Sequence, residues 1–220
     1  MAIDVHRLHQ GFVRGLRRNG GLVQLGSRLA DVKRVGDHWV IGDIEADVIV
    51  NAAGAWGDAV ARAVGARPVG LRPLRRSAFL LPAPPELNAG LPMLIEVNDR
   101  FYLKPESGGF LGSPADETPH QPGDAKPGEL EIARALEHIA ELTHLDARRI
   151  TNPWGGLRTF APDRLPVLGF DPDVEGFFWY AGQGGYGVQT APALSELGAA
   201  LLRGTTTAPE FAPDRPALSG

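Results

Sequence analysis

The stretch that decides the fold is Ala181-Gly182-Gln183-Gly184-Gly185-Tyr186-Gly187. It follows the apolar, strand-like run Phe177–Ala181 and precedes a segment that is predicted to be helical to about Arg203. Its first, second and fourth glycines fit the spacing G-x-G-x-x-G of dinucleotide-binding turns. A Rossmann unit also needs a second parallel strand after the helix, whereas this helix leads into a proline-rich segment. The Rossmann interpretation of this loop is therefore disfavoured.

The glycine loop, Gly182–Gly187, still has the chemistry of a ligand-binding turn. Glycines let the backbone approach a ligand closely, and unpaired N–H groups at the start of the next helix favour negative charge. A flat ring that becomes anionic when it is reduced would suit this position. A tight strand-to-helix turn with nothing bound is the alternative, and the residues alone favour neither.

The rest of the chain predicts an α+β fold in two lobes. Residues 1–66 and 150–204 share short strands and helices, and we interpret them as two pieces of one domain. The first piece opens with a predicted helix, for which Asp4 is the candidate N-cap and whose apolar stripe is Val5, Leu8, Phe12 and Leu16. Residues 67–149 are interpreted as an inserted, mainly antiparallel sheet with one amphipathic helix. The proline-rich end, residues 205–220, is predicted to be a loosely held tail.

The composition excludes several classes of protein. The 220 residues carry a net charge of -4 without a basic stripe, which argues against nucleic-acid binding. There are no cysteines, so disulfides and thiolate zinc sites are excluded. No apolar run is long enough to span a bilayer and no signal peptide is recognised, so we expect a cytoplasmic protein. His6 and His9 share a helix face without a third ligand, which predicts no metal site.

Three side chains are candidates for binding a substrate. Arg158 lies in an apolar strand, where it is either a buried ion-pair partner or a fork for a carboxylate, and the residues alone favour the ion pair. Arg76 precedes an apolar strand and could equally be a solvated edge residue. Tyr102 alternates with apolar neighbours, so its hydroxyl could donate a hydrogen bond or its ring could lie in the core.

Three separated motifs carry a resemblance to a known family. The first is the strand and turn Ile49–Trp56, the second runs from Gly156 to Gly169 and includes Arg158 and Asp163, and the third is Ala181–Pro192. Together they resemble the FAD-dependent D-amino-acid oxidase superfamily, which includes glycine oxidase, sarcosine oxidase and the D-amino-acid dehydrogenases. The match covers about residues 3–203. It implies FAD as the cofactor and a partial FAD-binding domain that carries an inserted substrate-binding domain.

Within the superfamily, the closest resemblance is to bacterial D-arginine dehydrogenases, through Arg75–Phe79, Phe101–Pro105, Leu111–Ala115 and Gly176–Trp179. It implies that Arg158 binds the substrate carboxylate through two parallel hydrogen bonds. By the same resemblance Tyr102 donates to that carboxylate and Arg76 adds a positive contact. Gln189 and Gly185 would lie beside the substrate and the flavin ring.

The resemblance also assigns residues to the cofactor. The backbone of Leu29, in the short strand predicted from Leu29 to Val35 after the first helix, would meet the adenine end of FAD. Ala53 and Gly54 would bind the cofactor after the strand of the first motif. The glycine loop and the first turn of the following helix would line the flavin ring, through Gly184, Gly185, Tyr186, Gly187, Val188 and Gln189.

The activity that the resemblance implies is oxidative deamination of a D-amino acid. A hydride passes from the substrate Cα to flavin N5, and water hydrolyses the imino acid that forms. The family pattern begins with a strand, a G-x-G-x-x-G turn and a helix that bind the FAD pyrophosphate, and no part of this chain matches that segment. A missing N-terminal segment or another chain would have to supply it. The alternatives are a non-catalytic fragment that does not hold FAD and a sarcosine- or glycine-oxidase-like amine oxidase.

Overall fold

The computed structural model describes residues 3–83, 86, 90–106 and 108–218. Its helices and strands form a mixed α+β fold, which confirms the predicted fold class. The chain separates into two compact units, residues 1–70 with 161–220 and residues 71–160. We call them the flanking unit and the inserted unit. Their assignment as FAD-binding and substrate-binding domains stays a prediction.

The helices and strands have the following bounds. The helices are α1 (Val5–Arg18), α2 (Gly57–Ala63), α3 (Glu129–Leu142) and α4 (Gly187–Leu202). The strands are β1 (Val32–Val35), β2 (His38–Ile41), β3 (Ile44–Ala46), β4 (Ile49–Asn51), β5 (Arg72–Pro82), β6 (Leu94–Ile95), β7 (Tyr102–Glu106), β8 (Gly109–Ser113), β9 (Thr118–Pro119), β10 (Thr151–Phe160), β11 (Val167–Phe170) and β12 (Phe177–Ala181). Among the described residues, no helix combines the length and apolar character that crossing a membrane requires. The cytoplasmic location stays a prediction.

The flanking unit begins with an amphipathic helix, α1, none of whose residues is buried. The Oδ1 atom of Asp4 caps α1 by accepting a hydrogen bond from the Arg7 N–H at 2.9 Å. The apolar stripe that the sequence predicts is present, but Val5, Phe12 and Leu16 are each about half exposed. No residue of α1 is buried, so the described chain leaves its apolar face uncovered.

Two three-stranded sheets make up the rest of the flanking unit. Strands β1, β2 and β3 form an antiparallel meander. In the second sheet the order is β11-β12-β4, with β12 antiparallel to β11 and parallel to β4. A 3₁₀ turn and α2 follow β4, and the glycine loop and α4 follow β12. Two parallel strands therefore lead into the turns that the sequence assigns to the cofactor.

The inserted unit is an antiparallel sheet with α3 packed against one face. The strand order is β10-β5-β8-β7-β6, and β9 also pairs with β5. Phe79 and Leu103 of the sheet are buried in one cluster with Ile132 and Ile139 of α3. The sequence placed β10 in the flanking lobe, but it belongs to this sheet because it pairs with β5 along most of its length.

The C-terminal segment is anchored, so the expectation of a loosely held tail is wrong. Arg215 is 6% exposed, and its Nε and Nη2 atoms donate to the two carboxylate oxygens of Asp163 at 2.7 and 2.8 Å. Short 3₁₀ turns, Pro209–Phe211 and Pro216–Leu218, lie on either side of Arg215. The proline content suggested a tail. The anchor left no local signal, because Asp163, the partner of Arg215, lies far away along the chain.

Acid is expected to weaken the flanking unit through Asp163. The hydrogen bonds from Arg215 hold the pKa of Asp163 below its usual value, against the opposing effect of burial. A carboxylate with a depressed folded-state pKa contributes stability above its unfolded pKa, and this contribution is lost as pH falls through the folded-state pKa. Urea unfolding followed by the fluorescence of buried Trp179 should show stability falling below about pH 5. Asp163→Asn should flatten that dependence, and an unchanged slope would contradict this role.

Candidate active site

The sheet of the inserted unit brings two predicted substrate arginines onto one face. Gly156 of β10 lies opposite Arg76 of β5, and Arg158 lies opposite Leu74. Side chains alternate between the faces of a strand, so residues two apart share a face. Arg76 and Arg158 are therefore diagonal neighbours on the same face.

The third predicted substrate residue, Tyr102, lies on that face as well. Phe79 of β5 lies opposite Gly112 of β8, which in turn lies opposite Leu103 of β7. Phe79 and Leu103 face the α3 side, where both are buried in the core. Tyr102 alternates with Leu103 and so lies on the opposite face. Arg76 is three residues before Phe79 in β5, so it lies on that opposite face as well. Sequence positions that are far apart thus converge on one surface of the sheet.

Arg76 carries a positive charge that its neighbours compensate only in part. Its Nη2 atom is 3.3 Å from the Glu117 carboxylate, while its buried Nε atom has no hydrogen-bond partner among the described residues. Burial lowers the pKa of Arg76, and the charge of Arg158 lowers it further. Tyr102 and Glu117 act in the opposite direction. An anion placed at this face would therefore be stabilised by Arg76.

Arg158 does not form the ion pair that the residues alone favoured. Its side chain has neither a hydrogen bond nor an ion pair with any residue that the structure describes. Its side chain is partly buried beside a second guanidinium, and such a cation is stabilised by a bound carboxylate. The planar fork of arginine presents two parallel N–H donors to a carboxylate. The arrangement suits the binding of one carboxylate at Arg158.

Arg75, the neighbour of Arg76, has a structural role on the α3 side of the sheet. Its Nε atom donates to Asp116 at 3.1 Å, and its Nη2 atom is 2.9 Å from Glu131 of α3. Asp116 also accepts from the N–H and the hydroxyl of Ser77, at 2.6 and 3.0 Å. Adjacent arginines therefore differ: the charge of Arg75 is neutralised, whereas that of Arg76 faces the site.

Sequence reasoning missed Asp116 and Glu117, the acids that hold this arrangement. Both lie in the loop between β8 and β9, where Ala115 adopts a left-handed backbone with φ +54°. Asp116 fixes the loop to Ser77, and Glu117 then reaches Arg76. Two acids directly after a Ser-Pro-Ala turn were the available signal, but only the pairing of β9 with β5 reveals their partners.

The turns assigned to the cofactor lie together in the flanking unit. Trp179 of β12 lies opposite Asn51 of the parallel strand β4, so the glycine loop and the turn at Ala53 leave the sheet at the same edge. Ligands of parallel sheets bind beyond the carboxyl ends of the strands. The buried side chain of Asn51 donates to the Gly57 carbonyl at 2.9 Å and accepts from the Ala53 N–H at 3.3 Å, which fixes the first turn. Gly54 has φ +55°, a backbone that suits glycine.

The glycine loop has the features of a cradle for a flat, anionic ring. Gly182 and Gly184 have φ values of +74° and +56°, the left-handed region that side chains disfavour. The first turn of α4 contains no acidic residue, and no side chain caps it. Its N–H groups are therefore available to an anion. Tyr186 and Val188 are 62% and 43% exposed, so apolar surface beside the loop is uncovered.

These residues fit the FAD predicted from the sequence, except that Leu29 does not lie in the strand predicted for it. Gly184 to Gln189 form the loop and the first turn of α4, and Gln189 is exposed there. Leu29 was placed in a short strand, but it lies in the irregular segment before β1 and is 38% exposed. Its assignment to the adenine end of FAD stays a prediction.

Comparison with known protein families gives the class to which this chain belongs. Residues 1–201 match the DAO family, described as FAD dependent oxidoreductase. The chain belongs to this family. FAD, the predicted cofactor, is thereby confirmed as the cofactor of the family to which the chain belongs.

Known relatives include enzymes that act on amino acids. The chain is 26% identical over 208 residues to hydrogen cyanide synthase subunit HcnC of Pseudomonas protegens, covering 89% of this chain and 47% of that protein. It is 27% identical over 180 residues to glycine oxidase of Pseudomonas putida, covering 80% of this chain and 47% of that protein. Glycine oxidase from Geobacillus kaustophilus has the same fold, with a TM-score of 0.71 at 24% identity over 86% of this chain and 52% of that one.

The chain spans about half the length of these relatives. The family match over residues 1–201 confirms the resemblance to the D-amino-acid oxidase superfamily. The finer resemblance to D-arginine dehydrogenases stays a prediction.

Proposed function

We propose that this chain is the C-terminal part of an FAD-dependent enzyme that oxidises the Cα–N bond of a D-amino acid. The observation that carries the proposal is the face of the inserted unit that Arg158 and Arg76 share, where Glu117 is the one acid among the described residues that forms an ion pair with either of them. The resulting excess of one positive charge suits one substrate carboxylate.

The inserted unit would bind and orient the substrate. The fork of Arg158 would hold both carboxylate oxygens, the Tyr102 hydroxyl would donate to one of them, and Arg76 would supply a further positive contact. Fixing the carboxylate at three points aims the Cα–H in one direction, and such positioning supplies much of the catalysis in a reaction of this kind. No general base is needed if the amine arrives neutral.

The flanking unit would hold the flavin ring at Gly184–Gln189, with Ala53 and Gly54 beside it at the same sheet edge. When bound, FAD accepts the hydride from the substrate Cα, and the imino acid that forms is hydrolysed by water. The N–H groups at the start of α4 would stabilise the negative charge that the ring acquires. Gln189, exposed on that first turn, would lie beside the ring.

A second candidate is oxidation of a small primary or secondary amine, as in a sarcosine or glycine oxidase. The 27% identity to a protein named glycine oxidase favours it specifically. Both candidates use the same carboxylate site and differ only in what surrounds the substrate Cα.

Anaerobic mixing of the FAD-loaded protein with substrate distinguishes the two candidates. We expect the flavin absorbance near 450 nm, about the usual flavin maximum, to bleach with D-amino acids and to persist with glycine and sarcosine. Bleaching with glycine or sarcosine alone would replace the first candidate by the second. A flavin that stays oxidised with every substrate would contradict both candidates.

We propose further that another segment or chain supplies the contacts to the FAD pyrophosphate. Two features support this: β4 is an edge strand of its sheet, and the apolar face of α1 is uncovered within the described chain. The test is the coding sequence next to that of this chain. A strand–G-x-G-x-x-G–helix pattern there would support the proposal, and its absence would favour the fragment that does not hold FAD.

Tyr102→Phe is expected to weaken substrate binding modestly. It removes one hydroxyl hydrogen bond and keeps the ring, so KM should rise by roughly threefold to tenfold with kcat nearly unchanged, as for about 1 kcal/mol. The matched control is Tyr180→Phe, which removes a hydroxyl 3.5 Å from Ser195 in the flanking unit. Equal effects of the two substitutions would remove Tyr102 from the site.

A further inference from the structure

Arg215 is the most completely satisfied buried cation in the described flanking unit. Its Nε and Nη2 atoms bind the Asp163 carboxylate, and Nη2 also donates to the Leu165 carbonyl at 3.1 Å. Its Nη1 atom donates to the carbonyls of Phe211 and Ala212 at 3.0 and 3.1 Å. All five guanidinium N–H groups are thus used. Such a geometry fixes the C-terminal segment to one loop.

That loop, Ala161–Leu165, lies directly behind the glycine loop. A Cβ atom added to Gly182 would be 3.5 Å from both the Ala161 nitrogen and the Leu165 oxygen. The same Leu165 oxygen accepts the hydrogen bond from Arg215. Asp163 also accepts from the Leu165 N–H at 3.1 Å, so one carboxylate holds both the loop and the arginine.

The C-terminal segment also contacts the hairpin that β11 and β12 form. A Cβ atom on Gly169 of β11 would be 3.2 Å from Pro213. Val167 of β11 lies opposite Ala181, the last residue of β12 before the glycine loop. The segment therefore supports the hairpin from which the glycine loop emerges.

We propose that Asp163 and Arg215 are positioning residues for the glycine loop, and that residues 208–218 act as a strap that holds its backing in place. The part of the inference that concerns the flavin ring rests on the proposed function. The strap itself rests only on the contacts of these residues.

The glycine loop needs external support for a physical reason. Glycine backbones lose more conformational freedom on ordering than any other residue, and they bring no side chain with which to anchor themselves. Among the described residues of the loop, one backbone hydrogen bond closes a turn, from the Tyr186 N–H to the Gln183 carbonyl at 3.1 Å. The fixed loop Ala161–Leu165 supplies a surface against which Gly182 is held.

The test is amide hydrogen exchange of the 220-residue chain, read by mass spectrometry over residues 182–190. Arg215→Met should speed exchange there by about tenfold or more, because the backing loop loses its anchor. Residues 71–160, in the inserted unit, serve as an internal reference. The matched control is Arg148→Met, since Arg148 forms the same two-bond pair with Asp146 at 2.8 and 3.0 Å, but on the surface. It should leave residues 182–190 unchanged.

Asp163→Asn and Arg215→Lys are milder variants that keep the test decisive if Arg215→Met fails to fold. Both keep a polar side chain, and each should give a smaller but localised increase over residues 182–190. Unchanged exchange in the folded variants would overturn the proposal, because the pair would then hold only the C-terminal segment. An increase over residues 182–190 no larger than the increase in β1–β3 of the same unit would also overturn it, since the pair would then stabilise the unit as a whole without a local effect on the loop.

A titration with FAD, read by flavin fluorescence, separates this inference from the proposed function. Localised exchange with weaker FAD binding in Arg215→Met supports both. Localised exchange in a chain whose wild type binds no FAD supports the strap and contradicts the assignment of the loop to the flavin.

Discussion

Arg158→Ala is expected to lower kcat/KM by roughly 30-fold to several thousand-fold, the equivalent of about 2–5 kcal/mol for breaking a charged, desolvated hydrogen-bond pair. The reason is the geometry of the inserted unit. Arg158 has no partner among the described residues and shares its face with Arg76, so its guanidinium is available to the substrate carboxylate. Most of the loss should appear in KM, with a further loss in kcat because the substrate is no longer held in one orientation.

Two further variants sharpen this test. Arg158→Lys keeps the charge but loses the two-pronged fork, so it should recover only part of the activity. Arg148→Ala changes an arginine of the same unit whose side chain is 88% exposed, and it should have no measurable effect. Kinetics that are the same for Arg158→Ala and the wild-type protein would remove Arg158 from the site.

Asp116→Ala should have the largest effect on stability, with a loss of about 3–5 kcal/mol in the free energy of unfolding of the inserted unit. The side chain of Asp116 is 4% exposed and accepts from Arg75 and from two donors of Ser77. Removing it leaves a mostly buried guanidinium without that partner and a buried backbone N–H unpaired. The loop that carries Glu117 to Arg76 also loses its anchor.

Hydrogen exchange of β8 during urea titration measures this loss within the inserted unit alone. The control is Asp146→Ala, which removes an exposed carboxylate that pairs only with its neighbour Arg148 among the described residues. The control should leave the urea midpoint unchanged. If Asp116→Ala also left it unchanged, the Asp116 cluster would not stabilise the sheet.

Local signals in the sequence were sufficient for the fold class, and the resemblance that three short motifs carry gave the cofactor and the family. The cap at Asp4, the period of the apolar residues in α1 and α3, and the glycines between β12 and α4 are short-range features that act within a few residues. They were predicted because each depends on neighbours in the chain.

Contacts between residues far apart along the chain could not be predicted from the sequence. β10 joins β5, and only this pairing makes Arg158 a neighbour of Arg76. Arg215 and Asp163 likewise meet only in the folded chain, and proline content wrongly suggested a loose tail. The strand predicted from Leu29 to Val35 is shorter in the structure, since β1 begins only at Val32 and leaves Leu29 outside it. In each case tertiary contacts decided an outcome that local propensity does not encode.

The most direct test of the central claim is a titration of the 220-residue chain with FAD, followed by flavin absorbance and fluorescence. We predict saturable binding with a perturbed flavin spectrum, because Gly184–Gln189 and the turn at Gly54 are already arranged at one sheet edge. We also predict that Gly184→Val weakens the binding, since valine disfavours the backbone at φ +56°. A flavin spectrum identical to that of free FAD at every concentration would contradict the assignment of this loop to the cofactor.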